Sequence, residues 1–316
     1  MNKRPFLILF LFLLLFSFGG QAADTYRPET SVAGFIPLPD CGRQVYNFNL
    51  GWRFFKGDIR GAEAVNFDDR SWEVVSTPHT VELMPAEGSG CRNYQGPAWY
   101  RKYFVVPTAT KGQRVLLHFE AAMGKQVLYL NGNRVQEHLA GYLPFRLDFA
   151  FHGGIYRDVW LFAMSPVAIT DAIDSRTVGG GGVFVHFDKI SEKSAQVYVE
   201  TEIQNNNTRS ESFTVETTLT DAEGKVIKRT SSKLSLNSGE KKSIRQQMDV
   251  RNPKLWSPDA PYLYRVQSRI KKGNRSIDGG TTRIGIRLAE FRGKEGFWLN
   301  GKPFGQLVGA NRHQDF

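Results

Sequence analysis

Cysteine is scarce in this 316-residue chain, which contains only Cys41 and Cys91. Neither has metal-ligand spacing with a second cysteine or a histidine, so the sequence predicts no metal site. Two thiols also define no disulfide framework, and a pair and two separate thiols are both consistent with the pattern. The glycine run at 178–185 lacks the helix and lysine of a phosphate-binding loop, so no cofactor is predicted.

Helical patterns are almost absent after the first 22 residues. Short runs rich in aromatic and β-branched residues, bounded by glycine and proline, occur instead along the whole chain. Period-2 alternation is clear in TVETTLT at 214–220, and Asn131-Gly132 has the composition of a two-residue hairpin turn. The predicted fold class is therefore all-β.

A concentrated run of positive charge is also missing. The formal net charge is +10, but lysine and arginine are scattered along the sequence, with the densest groups at 240–242 and 269–272. We interpret both groups as solvated strand ends. Since nucleic-acid binding requires a concentrated basic face, the sequence predicts no nucleic-acid partner.

Residues 1–22 have the pattern of a secretory signal peptide. Lys3 and Arg4 precede an apolar run from Phe6 to Phe18, which is short for a membrane span. Small residues at cleavage spacing follow and predict a cut near Ala22. The sequence therefore predicts an exported protein, periplasmic or secreted.

Three blocks follow the signal. Residues 41–165 are predicted to form a β-sandwich, and residues 166–287, with seven strand patterns in about 120 residues, fit an immunoglobulin-like sandwich. Residues 288–316 begin with a hairpin around Asn300-Gly301. The apolar strand QLVGA at 306–310 follows, and the polar residues Asn311, Arg312 and His313 come directly after it.

Several motifs occur in one order along these blocks: FDDRSWEVVSTPHT (67–80), GPAWYRKYFVVP (96–107), LYLNGNRVQEHLAGYLPFRLD (128–148), GGIYRDVWL (153–161), LWSPDAPYLYRV (255–266), RIGIR (283–287) and LNGKPFGQLVGANRHQD (299–315). Together they resemble glycoside hydrolase family 2, which contains β-galactosidases and β-glucuronidases. The resemblance covers nearly all of the chain after about residue 44.

The resemblance implies a jelly-roll sugar-binding domain at 41–165, the immunoglobulin-like domain at 166–287, and then a TIM barrel whose entry hairpin and first strand would occupy 288–316. Barrel enzymes place their working residues at the C-terminal ends of the strands. By resemblance, His313 would hydrogen-bond the ring hydroxyls of the sugar, and Asn311 and Arg312 would hold the pocket floor. Arginine at 312 favours the galactosidase branch, and hence a β-galactoside-like carbohydrate as partner.

Two departures from the family qualify this interpretation. The segment between 148 and 153 is shorter than the family's, so a strand of the jelly roll is expected to be missing and two sheet edges to be exposed. Asp148 matches the spacing of a family aspartate that reaches into the sugar pocket, but it also fits a turn or capping role at the end of the preceding strand.

The second departure concerns catalysis. Retaining glycosidases use two carboxyl groups about 5–5.5 Å apart, which the resemblance assigns to glutamates of later barrel strands. The sequence has no Asn-Glu dipeptide of the acid/base type, and Glu290 and Glu295 are interpreted as surface charges. We therefore expect no catalytic residue in this chain and no activity of the chain alone.

Two classes of protein remain open. The first is the N-terminal part of a glycosidase, whose partners would be the remaining barrel portion or a second copy of the chain. The alternative is a non-catalytic carbohydrate-binding or interaction module made of the two β-sandwiches.

Overall fold

The computed structural model of the protein describes residues 25–31, 38–82, 94, 96–139, 144–147, 159–172 and 175–305. Within these ranges the only helical segments are two short 3-10 helices, Thr108–Thr110 and Gly293–Glu295, so the all-β prediction is confirmed. The strands are β1 (Gln44–Asn47), β2 (Trp52–Lys56), β3 (Glu73–Val75), β4 (Ala98–Arg101), β5 (Arg114–Phe119), β6 (Lys125–Leu130), β7 (Asn133–Leu139), β8 (Phe145–Leu147), β9 (Val159–Met164), β10 (Val167–Ile169), β11 (Val183–Asp188), β12 (Ser194–Asn205), β13 (Glu211–Thr220), β14 (Val226–Leu236), β15 (Lys241–Arg251), β16 (Tyr264–Lys272), β17 (Arg275–Ile284), β18 (Ala289–Phe291), β19 (Phe297–Leu299) and β20 (Lys302–Pro303).

The first sandwich contains β1 to β9 in three antiparallel sheets. Sheet A has the order β1-β9-β5-β8, sheet B the order β3-β2-β4, and sheet C is the hairpin β6-β7. The hairpin turns at Asn131 and Gly132, whose φ angles of 48° and 82° are those that this dipeptide adopts readily. The core between the sheets is rich in large aromatic side chains, among them Tyr46, Phe48, Trp52, Phe54, Tyr100 and Phe119.

Sheets B and C each end in an unpaired strand edge. β4 pairs with β2 and β6 pairs with β7, and within the described ranges neither strand has a second neighbour. This is the arrangement expected from a jelly roll that has lost a strand near 148–152. Residues 148–158 lie outside the described ranges, so the shortening itself stays a prediction.

The second sandwich has longer strands in two larger sheets. In sheet D, β12 is central, β15 lies along one edge, and β10 and β11 lie end to end along the other. Sheet E has the order β14-β13-β16-β17. Alternate residues of these strands, such as Val199, Val215, Val266 and Ile270, are completely buried between the sheets, which fits the predicted immunoglobulin-like architecture.

A buried ion pair joins the two sandwiches. The guanidinium of Arg43, next to β1, donates from Nε and Nη2 to the two carboxylate oxygens of Asp278 on β17, each at 2.8 Å. The same carboxylate accepts the backbone N–H of Ile169 on β10 at 2.7 Å, and Arg43 Nη2 donates to the Ile169 carbonyl at 3.1 Å. Three segments distant in sequence are therefore held together at one point. The domain boundaries near 165 and 287 stay predictions.

The basic residues are scattered along the sequence, but six of them come together on one surface of the second sandwich. The strand register of sheet E places six basic side chains on its outward face: Arg229, Lys233, Arg265, Arg269, Lys271 and Arg283. They are far apart in sequence, and only the pairing of β14, β13, β16 and β17 brings them onto one face.

Candidate functional site

The residues predicted to line a sugar pocket, Asp148, Asn311, Arg312 and His313, all lie outside the described residues. The predicted barrel strand at 306–310 and Cys91 lie outside them as well. The roles and mutual arrangement of these residues therefore stay predictions. The structure does describe the hairpin that leads to three of them, since the described residues continue to Gly305.

This hairpin is tied to the second sandwich through Asn300. Asn300 has a φ of 53° and lies in the turn between β19 and β20. Its Nδ2 donates to the carbonyl of Trp256 at 3.0 Å, and its Oδ1 accepts the N–H of Leu288 at 3.0 Å. The Asn300 N–H donates in turn to the Leu288 carbonyl at 2.8 Å. One side chain thus connects the hairpin turn, the start of the third block and the loop before β16.

Trp256 is held in place by a glycine. A Cβ at Gly285 would lie 2.7–2.8 Å from Cγ, Cβ and Cδ1 of Trp256, so only glycine permits this approach. The Trp256 N–H donates to the carbonyl of Ile286 at 2.8 Å, and the Arg287 guanidinium carbon lies 5.1 Å from the indole centroid. Trp256 therefore lies between the end of the second sandwich and the hairpin of the third block. It also fixes the direction in which the chain leaves the second sandwich.

A cavity of about 300 Å³ lies in the first sandwich, between β4 and the end of β6. Its aromatic walls include the stacked rings of Trp99 and Tyr129, whose centroids are 6.2 Å apart. Arg101, Lys102 and Glu63 supply charged groups to the lining. Aromatic walls with a few polar groups are typical of small-molecule sites, and the volume is at the lower end of their range.

Both cations in this wall already bind protein acceptors. Arg101 donates to Asp69 Oδ2 at 2.8 Å, to the Tyr103 hydroxyl at 2.7 Å and to the carbonyls of Ala62 and Ala64. Asp69 is itself buried and also lies within 3.6 Å of Arg53. We interpret the cavity as the space between two strand edges rather than as a site for an anionic ligand.

Lys102 has an unusual environment for a lysine. Its Nζ lies 3.7 Å from the ring centroid of Tyr26, 4.4 Å from that of Phe48 and 5.0 Å from that of Trp52. It donates to the carbonyl of Phe48 at 3.1 Å and to the carbonyl of Leu50. Burial lowers the pKa of Lys102 to about 7, because removal from water disfavours the charged ammonium.

His79 and Cys41 have structural environments. The Nδ1 of His79 lies 2.8 Å from the Tyr100 hydroxyl, so this histidine contacts a neighbouring side chain. Burial lowers its pKa. Cys41 is a buried free thiol whose Sγ lies 3.8 Å from the carbonyl of Arg43. Glu290 is bound to Arg292 at 2.7 Å, as expected of a surface charge.

No group of three or more histidine, cysteine, aspartate or glutamate side chains in the described part of the chain is arranged to hold a metal ion. A search of the same residues finds no helix with the length and hydrophobicity of a membrane span.

Sequence reasoning missed three features: the Arg43–Asp278 pair, the Lys102 site and the basic face of sheet E. The first two depend on contacts between distant segments and have no local signature. The third had a partial signal in RVQSRIKK, where Arg265, Arg269 and Lys271 all fall on one face of a strand with period 2.

The sequence profile described as "Glycosyl hydrolases family 2" matches residues 181–287. A β-glucuronidase of Formosa agariphila is 32% identical over 308 residues, covering 82% of this chain and 31% of that protein. A β-galactosidase of Thermoanaerobacter pseudethanolicus is 32% identical over 309 residues, covering 87% of this chain and 39% of that protein. The two match at the same identity, so these comparisons do not separate the galactosidase branch from the glucuronidase branch.

The fold is shared with solved structures. The structure of a β-glucuronidase from glycoside hydrolase family 2 matches with a TM-score of 0.75 at 31% identity, covering 84% of this chain and 33% of that one. A β-glucuronidase of Bacteroides uniformis matches with a TM-score of 0.74 at 28% identity, covering 86% of this chain and 36% of that one. The chain thus spans about a third of the length of the relatives it matches.

Proposed function

Since the chain belongs to family 2 of the glycosyl hydrolases, we propose that it forms the N-terminal, non-catalytic part of an exported retaining β-glycosidase. The observation that carries the proposal is the match, at 32% identity, to a β-glucuronidase and a β-galactosidase over more than 80% of the chain. The reaction would be hydrolysis of a terminal β-linked sugar with retention of configuration.

In this proposal the two sandwiches support a pocket whose catalytic carboxylates come from sequence outside these 316 residues. Retention requires two carboxyl groups about 5–5.5 Å apart, one as nucleophile and one as acid/base. The 316-residue polypeptide alone would therefore not hydrolyse glycosides. Its partner would be the remaining barrel portion, and its own contribution would be Asn311, Arg312, His313 and Asp148 at the sugar.

The anchored hairpin supports this role. Residues 306–313 follow directly after a segment that Asn300 and Trp256 tie to the second sandwich. Precise positioning of substrate-binding groups contributes strongly to catalysis, and displacement by about 1 Å can cost about 100-fold in rate. Arg312, between Asn311 and His313, favours a β-galactoside as substrate over a β-glucuronide.

The test is a pair of chimeras. Residues 25–316 replace the matching N-terminal region of the Thermoanaerobacter β-galactosidase and of the Formosa β-glucuronidase, and each product is assayed on aryl β-galactoside and aryl β-glucuronide. We expect the galactosidase chimera to retain the larger fraction of its parent's kcat/KM. His313→Ala should then lower kcat/KM by about 100-fold, whereas Lys302→Ala, on the exposed end of the hairpin, should not.

Three results would contradict the proposal. Hydrolysis by the purified 316-residue polypeptide would refute its predicted inactivity. A folded, active chimera that is indifferent to His313→Ala would remove residues 311–313 from the pocket. A glucuronidase chimera that outperforms the galactosidase chimera would reverse the substrate assignment.

Export rests on residues 1–22 and is tested separately. Expression of the complete sequence in a bacterium with an outer membrane should give a periplasmic or secreted product whose mass corresponds to cleavage near Ala22. A product that keeps residues 1–22 and stays in the cytoplasm would contradict this part of the proposal.

A further inference from the structure

The outward face of sheet E carries positive charge with little opposing charge. The strand register places Arg229, Lys233, Arg265, Arg269, Lys271 and Arg283 on this face. On the four strands of the sheet, all within the described ranges, Glu216 is the one acidic residue at an outward position. The other acids of these strands, Glu211 and Asp278, lie at inward positions and are buried.

Contacts within the protein leave most of this charge available. Lys271 Nζ lies 3.5 Å from Glu216 Oε2. Arg229 Nε donates to a neutral group, the Thr218 hydroxyl, at 3.2 Å. Arg269 donates to Gln267 Oε1 at 3.2 Å and to the carbonyl of Pro39 at 3.4 Å. Hydrogen bonds to neutral groups fix the direction of a guanidinium without cancelling its charge.

The spacing of these cations suits an extended ligand with repeated negative groups. Neighbouring strands lie about 4.8 Å apart, so Lys233 and Lys271, which flank Thr214 in one row, are separated by roughly 10 Å across the sheet. Partly exposed hydroxyl and amide side chains such as Thr214 and Gln267 lie between the cations. The face thus offers charge and hydrogen-bonding groups together.

The composition of the face disfavours other macromolecules. A protein interface would normally have aromatic or apolar residues at its centre, and a surface for single-stranded nucleic acid would have aromatic side chains for base stacking. The outward positions of β13, β14 and β16 carry no aromatic residue. At the β17 edge the face is already covered, because Leu38 and Cys41 pack against Gly279.

The opposite sheet shows that the charge is local. The outward face of sheet D combines both signs, with Arg245 3.8 Å from Glu200 and Lys241 3.6 Å from Glu202. Asp249 and Arg251 also alternate along β15 of that sheet. The positive net charge of the chain is therefore not spread evenly over the second sandwich.

We infer that the outward face of sheet E, on its β14, β13 and β16 side, binds an anionic polysaccharide carrying carboxylate or sulfate groups. The complementary charge and the neutral donors and acceptors between the cations match the charged and hydroxyl groups of such a polymer. The residues of this surface are different from those predicted to line the sugar pocket. It would bind a polyanion to this chain whether or not the glycosidase assignment is right.

The test measures binding to dextran sulfate and polygalacturonate, with uncharged dextran as the control ligand. Arg229→Glu with Lys233→Glu reverses two charges on sheet E, and Arg245→Glu with Arg251→Glu reverses two exposed charges on sheet D. Both double variants change the net charge equally. We expect the first to raise the Kd for dextran sulfate by at least about tenfold and the second by no more than about twofold. Wild-type affinity should fall with added salt.

Equal losses in the two variants would show unspecific attraction by net charge and overturn the inference. Absence of wild-type binding to both polyanions would also overturn the inference. Tighter binding of an oligonucleotide of matched charge would identify the face as a nucleic-acid surface instead. If the Glu variants fail to fold by circular dichroism, the pairs Arg229→Gln with Lys233→Gln and Arg245→Gln with Arg251→Gln provide the same comparison. No step requires hydrolysis, so failure here is distinct from failure of the glycosidase proposal.

Discussion

The two sandwiches of this chain reach stability by different means. Strands β12 to β17 of the second sandwich have 9–12 residues each, and in β12, β13 and β16 alternation buries every second side chain. The strands of the first sandwich have 3–7 residues and form three separate sheets. Its core is more aromatic, and several of its loops are held by side chains that bind backbone carbonyls.

The comparison indicates what replaces strand pairing when a sheet is interrupted. In the first sandwich, Arg101 and Lys102 donate to the carbonyls of loop residues 48, 50, 62 and 64. In the second, long backbone ladders supply most of the pairing, and the buried side chain of Asn205 is an exception because it donates to the carbonyls of residues 209, 236 and 237. Substitution of single side chains should therefore affect the first sandwich more than the second, except at Asn205 and where the two sandwiches meet.

The largest loss of stability is expected where Arg43 and Asp278 join the two sandwiches. Asp278→Ala leaves the guanidinium of Arg43 without its carboxylate and the Ile169 N–H without its acceptor, which should cost about 3–5 kcal/mol of unfolding free energy. Urea unfolding followed by tryptophan fluorescence measures the change. Four of the six tryptophans lie in the first sandwich, so fluorescence mainly reports that region.

Two controls sharpen this prediction. Asp249→Ala removes an exposed carboxylate of sheet D and should change the unfolding free energy by less than about 0.5 kcal/mol. Replacing both partners, Arg43→Met with Asp278→Leu, should recover much of the loss because no buried charge is left unpaired. If Asp278→Ala is as stable as wild type, the Arg43–Asp278 junction does not couple the two sandwiches.

A smaller loss of stability is expected at Gly285, where the chain leaves the second sandwich. Gly285→Ala introduces a Cβ within 2.8 Å of Trp256 and should cost about 1–3 kcal/mol through overpacking. Amide hydrogen exchange should become faster in β18 and β19, because Trp256 and Asn300 anchor that hairpin. Gly280→Ala is the matched control, since no atom lies within 4 Å of its added Cβ. Equal behaviour of the two variants would refute the anchoring role of Trp256.

The smallest effect per single pH step is a pH dependence of the unfolding free energy, confined to the first sandwich. Burial lowers the pKa of Lys102 to about 7, whereas an unfolded lysine titrates near about 10.4. Between these values the unfolded state binds more protons than the folded state. The unfolding free energy should therefore rise with pH through this window, by less than about 1.4 kcal/mol per pH unit.

Lys102→Met should remove this contribution, which is read from the difference between wild-type and variant unfolding curves at pH 7, 8, 9 and 10. Lys111→Met, at an exposed turn after Thr110, provides the control and should leave the slope unchanged. If the slopes of wild type and Lys102→Met coincide, the ammonium is not desolvated as the structure indicates.

The sequence predicted most strands well and some poorly, for identifiable reasons. Long alternating runs such as β13 and β16 were recognised because alternation repeats many times within them. β10 and β18 were missed because three residues contain too little alternation. The run WYRKYFVV at 99–106 has the aromatic and β-branched composition of a single strand, but β4 ends at Arg101. Lys102 turns towards two carbonyls there, and Tyr103 and Val105 bond to Tyr26 instead.

The candidate site was predicted unevenly. The hairpin around Asn300-Gly301 was recognised from its turn composition, and the segment that contains Trp256 belongs to the motif at 255–266. Neither signal showed that Asn300 binds Trp256, because the two residues are separated by 44 positions. The pocket residues Asn311, Arg312, His313 and Asp148 rest on the family resemblance alone.

The sequence by itself determined the all-β class, the hairpin turns and the family, because side-chain alternation, turn dipeptides and ordered motifs are properties of neighbouring residues. Only the tertiary structure decided the Arg43–Asp278 junction, the site of Lys102 and the basic face of sheet E. Arg43 and Asp278 are 235 positions apart, and the six cations come from three different strands. Such contacts depend on which strands pair and in which register, and that choice is made by burial of the whole core rather than by any short stretch of sequence.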